Sequence, residues 1–252
     1  MLQTGLIMND PKVSQDPIIL HNVYWNGPAT SPLAAKLTKP YHDLKPLAIA
    51  KETGTYLDIP QWMQSHEAGP ICNAQKLLPG AGVIRFPVDL KEYDINALAA
   101  AVEKFLELMK TVAEFSGSFF PIEQYSTHTV RDFLSADSAF ASRDARVLIA
   151  PTFFYPSLAV ESGERNKVLD KMALQYGQEI RGMLIQAAGK SGGAHSYVNY
   201  AFGGESEKEV YGKEKIERLR MLKGMYDAEN RFGFYAPIKP MAGKGEEGRS
   251  EL

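Results

Sequence analysis

Apolar residues recur along this chain at two different spacings, and the switches between them mark out its elements. Residues 18–25, IILHNVYW, are rich in β-formers and stop at Asn26-Gly27-Pro28, a strand running into a turn. Residues 81–90, AGVIRFPVDL, and the near-continuously apolar 145–156, ARVLIAPTFFYP, read as further strands. Residues 116–130 alternate and also read as a strand, with Pro121 arguing for an edge or a bulge. Helical spacing takes over behind Asp94, a natural N-cap, where Leu98, Val102, Phe105, Leu106 and Met109 share one face. A longer helix over about 162–187 turns Val168, Met172, Tyr176, Ile180 and Met183 or Leu184 inward. Tyr197-Val198-Asn199-Tyr200 reads as part of a short strand at 195–201, followed by an amphipathic helix at 212–226.

Between the first strands, residues 28–70 give only short helical pieces broken by Pro28, Pro32, Pro40, Pro46 and Pro60. Residues 1–17 read as a leader, 18–190 as one domain, 191–240 as a C-terminal segment, and 241–252 as a disordered tail. Strands punctuated by long helices, without regular βαβ alternation, predict an α+β fold: an antiparallel sheet covered by helices.

Composition narrows the chemistry. A chain of 252 residues, 44% hydrophobic, is long enough for a substantial core. A net charge of -2 with mixed signs leaves no footprint for nucleic acid or an anionic membrane surface. No apolar run reaches the ~18 residues of a membrane span, and the first residues lack the basic and apolar regions of a signal peptide. Compartment stays open. Cys72 is the single cysteine, so no intrachain disulfide can form; it reads as a small apolar side chain. His21, His42, His66, His128 and His195 make no metal-binding pair, and no metal is expected. Residues 187–193, AAGKSGG, follow a helix and lack the first glycine of a phosphate loop, so a glycine C-cap is the better reading. Neither GxGxxG nor GxSxG occurs.

Aromatic clusters remain. Phe119, Phe120 and Tyr125 lie on one strand, Phe153, Phe154 and Tyr155 on another, and Tyr197 and Tyr200 on a third. Core packing accounts for most single members. Period-two alternation nevertheless puts Phe119, Glu123 and Tyr125 on one face, where a carboxylate beside a phenol could line a pocket for a flat ligand.

The segment 197–238 resembles the C-terminal signature of berberine-bridge-enzyme-like FAD-linked oxidases, flavoproteins with a PCMH-type FAD domain. The matching residues are Tyr197-Val198-Asn199-Tyr200, Tyr211-Gly212, Arg218-Leu219, Leu222-Lys223, Tyr226-Asp227, Phe232 and the terminal FYAPI. Residues 137–155 look like the strand pair of that family's substrate domain, with Phe140-Ala141-Ser142-Arg143 in place of its usual FPHR. Ala228 replaces the proline of YDP, and Ile149 and Ala150 stand where some members carry a glutamate base.

The resemblance implies a substrate-binding domain at 18–190 and a segment at 191–240 that completes an FAD domain. It implies Tyr200 as the catalytic base, Tyr197 and Asn199 as contacts of the flavin, and Glu123, Tyr125 and Tyr155 as substrate-pocket residues. FAD is the implied cofactor, with molecular oxygen and a small organic molecule as reactants. The setting would be fungal secondary metabolism, such as alkaloid or polyketide tailoring, with chanoclavine-synthase-like enzymes as one subgroup. Full-length relatives are often secreted. Nothing in residues 1–120 resembles the FAD-binding half or its covalent attachment residues, so an N-terminal FAD half is an expected partner. The alternative is a non-catalytic protein that binds a small molecule or a partner chain.

Overall fold

The computed structural model describes residues 2–63, 65–68, 81–134, 138–156, 163–192 and 195–240, with the side chains of 190–192 excepted. Cys72 and the expected tail at 241–252 lie outside the described residues. Seven strands form one antiparallel sheet. They are β1 (Leu2–Met8), β2 (Ile18–Tyr24), β3 (Gly82–Arg85), β4 (Val88–Leu90), β5 (Phe119–Gln124), β6 (Val147–Ile149) and β7 (Thr152–Tyr155). The helices are α1 (Pro32–Asp43), α2 (Ile59–Trp62), α3 (Ile95–Thr111), α4 (His128–Asp132), α5 (Gly163–Gly192), α6 (Glu207–Tyr211) and α7 (Ile216–Tyr226). The expected α+β class holds.

β3 and β4 form one long strand interrupted at Phe86-Pro87, and β6 and β7 another interrupted at Ala150-Pro151. Their pairing keeps one register across both breaks, from Gly82↔Tyr155 to Leu90↔Val147. Pro121 is not at an edge as expected: β5 lies between β1 on one side and β6 and β7 on the other. The Pro121 carbonyl accepts from the Ala150 amide at 3.1 Å, so its missing N–H points the same way, into the break between β6 and β7. A proline is tolerated inside the sheet because its partner strand is already interrupted there.

A second departure concerns residues 2–8. Expected as a leader, they form β1, paired to β2 on one side and β5 on the other. Gln3, Thr4 and Gly5 interrupt its apolar residues, yet its ladder is satisfied on both edges.

One face of the sheet carries the core. Phe86, Phe105, Phe115, Phe120 and Phe153 are fully buried there, with edge-to-face contacts such as Phe105–Phe120 at 5.4 Å between centroids. α3 and α5 cover this face. The Asp94 side chain caps α3 by accepting from the Ala97 amide at 2.8 Å, as its sequence predicts. On α5 the buried positions are Leu169, Ala173, Ile180 and Leu184, whereas Val168 is exposed, one residue off the expected stripe. α5 passes so close to the sheet at Gly177 that a Cβ there would fall 2.0 Å from the Phe86 ring. The helix turns non-helical at Gly189, φ +63°, where glycine meets no steric penalty.

Candidate functional site

Alternation along β5 sends Phe120 and Ile122 to the core and leaves Glu123 on the opposite face. The register carries Thr4, Leu148 and, beyond it, Asp89 onto that same face. Among the described residues no long helix covers it. What covers it instead is the segment that follows α5.

Residues 195–201 are not the strand their sequence suggests. Only His195 bridges to a strand, exchanging both backbone hydrogen bonds with Asp89 at the outer edge of β4. Val198–Tyr200 then form a 3₁₀ turn. Positions three apart nearly eclipse in such a turn, so Tyr197 and Tyr200 share one side, edge to face at 5.4 Å. The strand-based division of these residues between two faces is therefore replaced: the two phenols act together. Asn199 donates its Nδ2 to the Tyr197 hydroxyl at 2.8 Å.

The turn brings Tyr200 to Glu123. The Tyr200 hydroxyl donates to Glu123 Oε1 at 3.1 Å, and the Tyr125 hydroxyl donates to Oε2 at 2.5 Å. Arg85 lies over the Tyr200 ring, 5.5 Å from its centroid. Burial pushes the Tyr200 phenol up to about 12, and the Glu123 charge and hydrogen bond push the same way, against a smaller opposing effect of Arg85. Tyr125 is raised too, by burial and then by Glu123. Neutral phenols are the resident forms at ordinary pH.

Of the expected site residues, the pocket residues Glu123 and Tyr125 and the expected base Tyr200 come together, with Tyr197 and Asn199 alongside. Tyr155 does not join them. It lies in the core face, 3% exposed, donating to Asp170 of α5 at 2.5 Å. Alternation explains this: Tyr155 follows Phe153 by two residues and shares its inward face.

Three residues near the site were missed in the sequence. Asp89 is almost fully buried, its carboxyl pushed up to about 6 by burial, with the Glu123 charge adding and the Ser142 hydroxyl and His195 opposing. A lone acid inside an apolar strand sequence was the available signal. Arg85 has the same signal in reverse. Arg181 had none: from α5 it donates to the Pro87 carbonyl at 3.0 Å, and to Ser196 Oγ and Glu209 Oε1 at 2.9 Å each. Glu209 also closes the capping box of α6 with Ser206, a Ser-x-x-Glu spacing legible in the sequence. This clamp fastens the segment carrying Tyr197–Tyr200 to the sheet edge.

The C-terminal turn is held the same way. Asp227 pairs with Lys223 and accepts from the Arg231 and Phe232 amides at 2.7 and 3.1 Å, with Asn230 left-handed at φ +52°. Ala228 costs the turn little, because Asp227 holds it. Beyond lies an uncovered aromatic surface, in which Phe232 is 83% and Phe234 97% exposed.

Residues 196–239 match the family model described as Berberine and berberine like. The FAD-linked oxidoreductase chry5 of Gibberella zeae is 35% identical over 204 residues, covering 80% of this chain and 38% of that protein. The FAD-linked oxidoreductase chyH of Penicillium rubens is 34% identical over 203 residues, again 80% and 38%. The chain belongs to the berberine-bridge-enzyme-like family of FAD-linked oxidoreductases.

The family's fold is visible in solved structures as well. BBE-like #28 from Arabidopsis thaliana superposes with a TM-score of 0.65 at 12% identity, over 96% of this chain and 50% of that one. The carbohydrate oxidase from Microdochium nivale gives 0.63 at 17%, over 95% and 48%. The chain thus spans about two fifths of the curated family members it matches and about half of the solved ones. Among the described residues no helix is long and apolar enough to cross a membrane.

Proposed function

We propose that this chain is the substrate side of an FAD-linked oxidase acting on a small organic molecule, with Glu123 and Tyr200 as its proton-accepting pair. The observation that carries this reading is one carboxylate receiving hydrogen bonds from two phenols on the sheet face opposite the core, one of them from the family's signature segment. The fit to FAD is partial. Tyr197, Asn199 and Tyr200 offer a flat, polar and aromatic edge suited to a ring system. Among the described residues there is no glycine-rich turn opening a long helix to cradle a pyrophosphate. The adenine and phosphate end belongs to another part, and the exposed Phe232 and Phe234 support a docking surface for it. On this reading residues 2–190 form the substrate domain and 191–240 the segment that completes the flavin domain.

Bound FAD would supply the hydride acceptor and the route to oxygen. The chain's own residues handle the proton. Tyr200 is too weak an acid to stand as a free phenolate base. It instead passes its hydroxyl proton to Glu123 Oε1 as it takes one from a substrate O–H, so Glu123 ends as a neutral carboxylic acid and the negative charge passes to the substrate oxygen. The sequence-based assignment of Tyr200 as base thus becomes a two-residue assignment. Relatives named only as FAD-linked oxidoreductases leave secondary metabolism, alkaloids included, as the proposed setting.

The experiment is a visible spectrum of the purified chain during FAD titration, repeated after co-expression with the flavin-binding part of a fungal relative. Flavin absorbance co-eluting with the chain in the assembled form supports the proposal. No flavin in either form overturns it and leaves a non-catalytic protein that binds a small molecule. In an assembled, flavin-loaded enzyme, Glu123→Gln should lower kcat by roughly 10²–10⁴ with flavin content unchanged.

A further inference from the structure

Next to the Glu123–Tyr125–Tyr200 cluster, at the end of the sheet, lies a cleft of about 440 Å³. Its walls include Tyr125, Ser126, Thr127, His128, Arg131 and Arg146. Tyr125 is shared between the two: its hydroxyl donates to Glu123, and the residue lines the cleft. Continuing the β5–β6 register, Glu123↔Leu148, by two residues sets Arg146 opposite Tyr125 on the face opposite the core. Arg131 comes from the other side, on α4.

The cleft is cationic. Among the described residues neither Arg131 nor Arg146 has an ion-pair partner. The nearby acids Asp132 and Asp144 face His128 and Lys91 instead. Arg131 spends only its Nε, on the Thr127 carbonyl at 3.4 Å. Arg143 adds charge from behind and fixes α4, donating to the Val130 carbonyl and to Ser138 Oγ at 2.7 Å each. Two guanidinium forks above hydroxyl-bearing walls suit an oxyanion, which they can bind through paired, charge-assisted hydrogen bonds. A cleft of this size is within the range that takes a small organic molecule.

We propose that this cleft binds the carboxylate of an organic acid, so that the substrate is an acid whose oxidisable group reaches Glu123. Calling the ligand a substrate rests on the oxidase reading above; the anion site itself does not. Tyr125 and Glu123 are two strand residues apart, about 7 Å along β5. Tyr125 both lines the cleft and donates to Glu123 Oε2, so an acid with its carboxylate at Arg131 and Arg146 lies one side chain away from Glu123. Short or aromatic hydroxy acids suit this arrangement.

The test is NMR of the isotope-labelled chain titrated with benzoate, with its neutral isostere benzamide, and with inorganic phosphate. Benzoate should shift the guanidinium Nε–Hε signals of Arg131 and Arg146 and the Tyr125 ring, and should bind at least about tenfold tighter than benzamide. Arg131→Gln/Arg146→Gln should weaken benzoate at least about tenfold. Both side chains are exposed, so the unfolding midpoint should not move. The two Arg→Lys variants, which keep charge but lose the fork, should fall between. Equal binding of benzamide, insensitivity to the double variant, or binding of phosphate without benzoate overturns the proposal. No flavin is present in the titration. A chain that acquires flavin but ignores benzoate loses only the organic-acid assignment; one that binds benzoate but never flavin loses only the oxidase reading.

Discussion

Glu123 decides the protonation chemistry of its neighbourhood, because both phenols that touch it are held protonated partly by its charge. Replacing it with glutamine removes that charge but keeps an acceptor. The Tyr200 phenol should then fall from about 12 toward the ordinary ~10, seen by tyrosine absorbance titration with Tyr200→Phe as the blank. An unchanged titration would mean that burial alone raises Tyr200. Asp89 gives a second expectation. Its folded pKa, about 6, lies above the unfolded 3.8. Between those values the native state holds more protons than the unfolded one, so this residue's contribution to stability falls as pH rises through the window. Asp89→Asn keeps a partner for Ser142 and removes the buried charge. It should be more stable than the parent near neutral pH, by up to about 3 kcal/mol, and should converge with it near about pH 4. Paired denaturant melts at the two pH values would show it. Alternation placed Glu123 and Tyr125 on one face, but the contact between Glu123 and Tyr200 was not legible in the sequence, since hydrogen-bond partners 77 positions apart leave no local pattern.

Among the elements, the legible ones were those whose period is enforced by burial on one side. α3, with its cap and its apolar stripe, is of this kind, and so is the two-faced alternation of β5. What failed depended on contacts distant in sequence. β1 needed β5 to satisfy its second edge, and Pro121 needed a break in another strand. The Tyr197–Tyr200 turn is held from outside itself, by the Arg181 clamp. Arg181 is 13% exposed and Glu209 32%. Arg181→Met would therefore take the cation from Glu209 and leave the Pro87 carbonyl only the Ser196 hydroxyl at 3.4 Å, at a cost on the order of 3 kcal/mol. Hydrogen exchange should show lost protection confined to 195–211, with β5 and α3 unaffected; a uniform loss would refute a local clamp. At Gly177 the argument is steric. A valine there would collide with Phe86, and thermal unfolding should show a loss of about 3 kcal/mol or more, because neither the helix nor the buried ring has space to give way.

For the whole molecule, the question is what covers the aromatic end. Phe232 and Phe234 hold little of the chain's own structure, so Phe232→Asp/Phe234→Asp should leave its unfolding midpoint within about 0.5 kcal/mol of the parent. The same variant should abolish association with the co-expressed flavin-binding part, read by co-elution. Retained association would place the docking surface elsewhere. The extent of such a surface could not be read from the sequence, because exposed and buried aromatics look alike in a string of letters.

β1 has one more consequence, for the order of events during synthesis. It can pair with β2 almost at once as a local hairpin, but its other edge is completed by β5, where Leu6 meets Pro121. Until the ribosome has delivered that distant stretch, the hairpin carries an open row of amides and carbonyls beside Leu6 and Ile7. Such an edge is a template for pairing with another nascent chain. Contacts that must close so long a loop also form slowly. Expression yield should therefore depend more on temperature and chaperone supply than on the stability of the finished sheet.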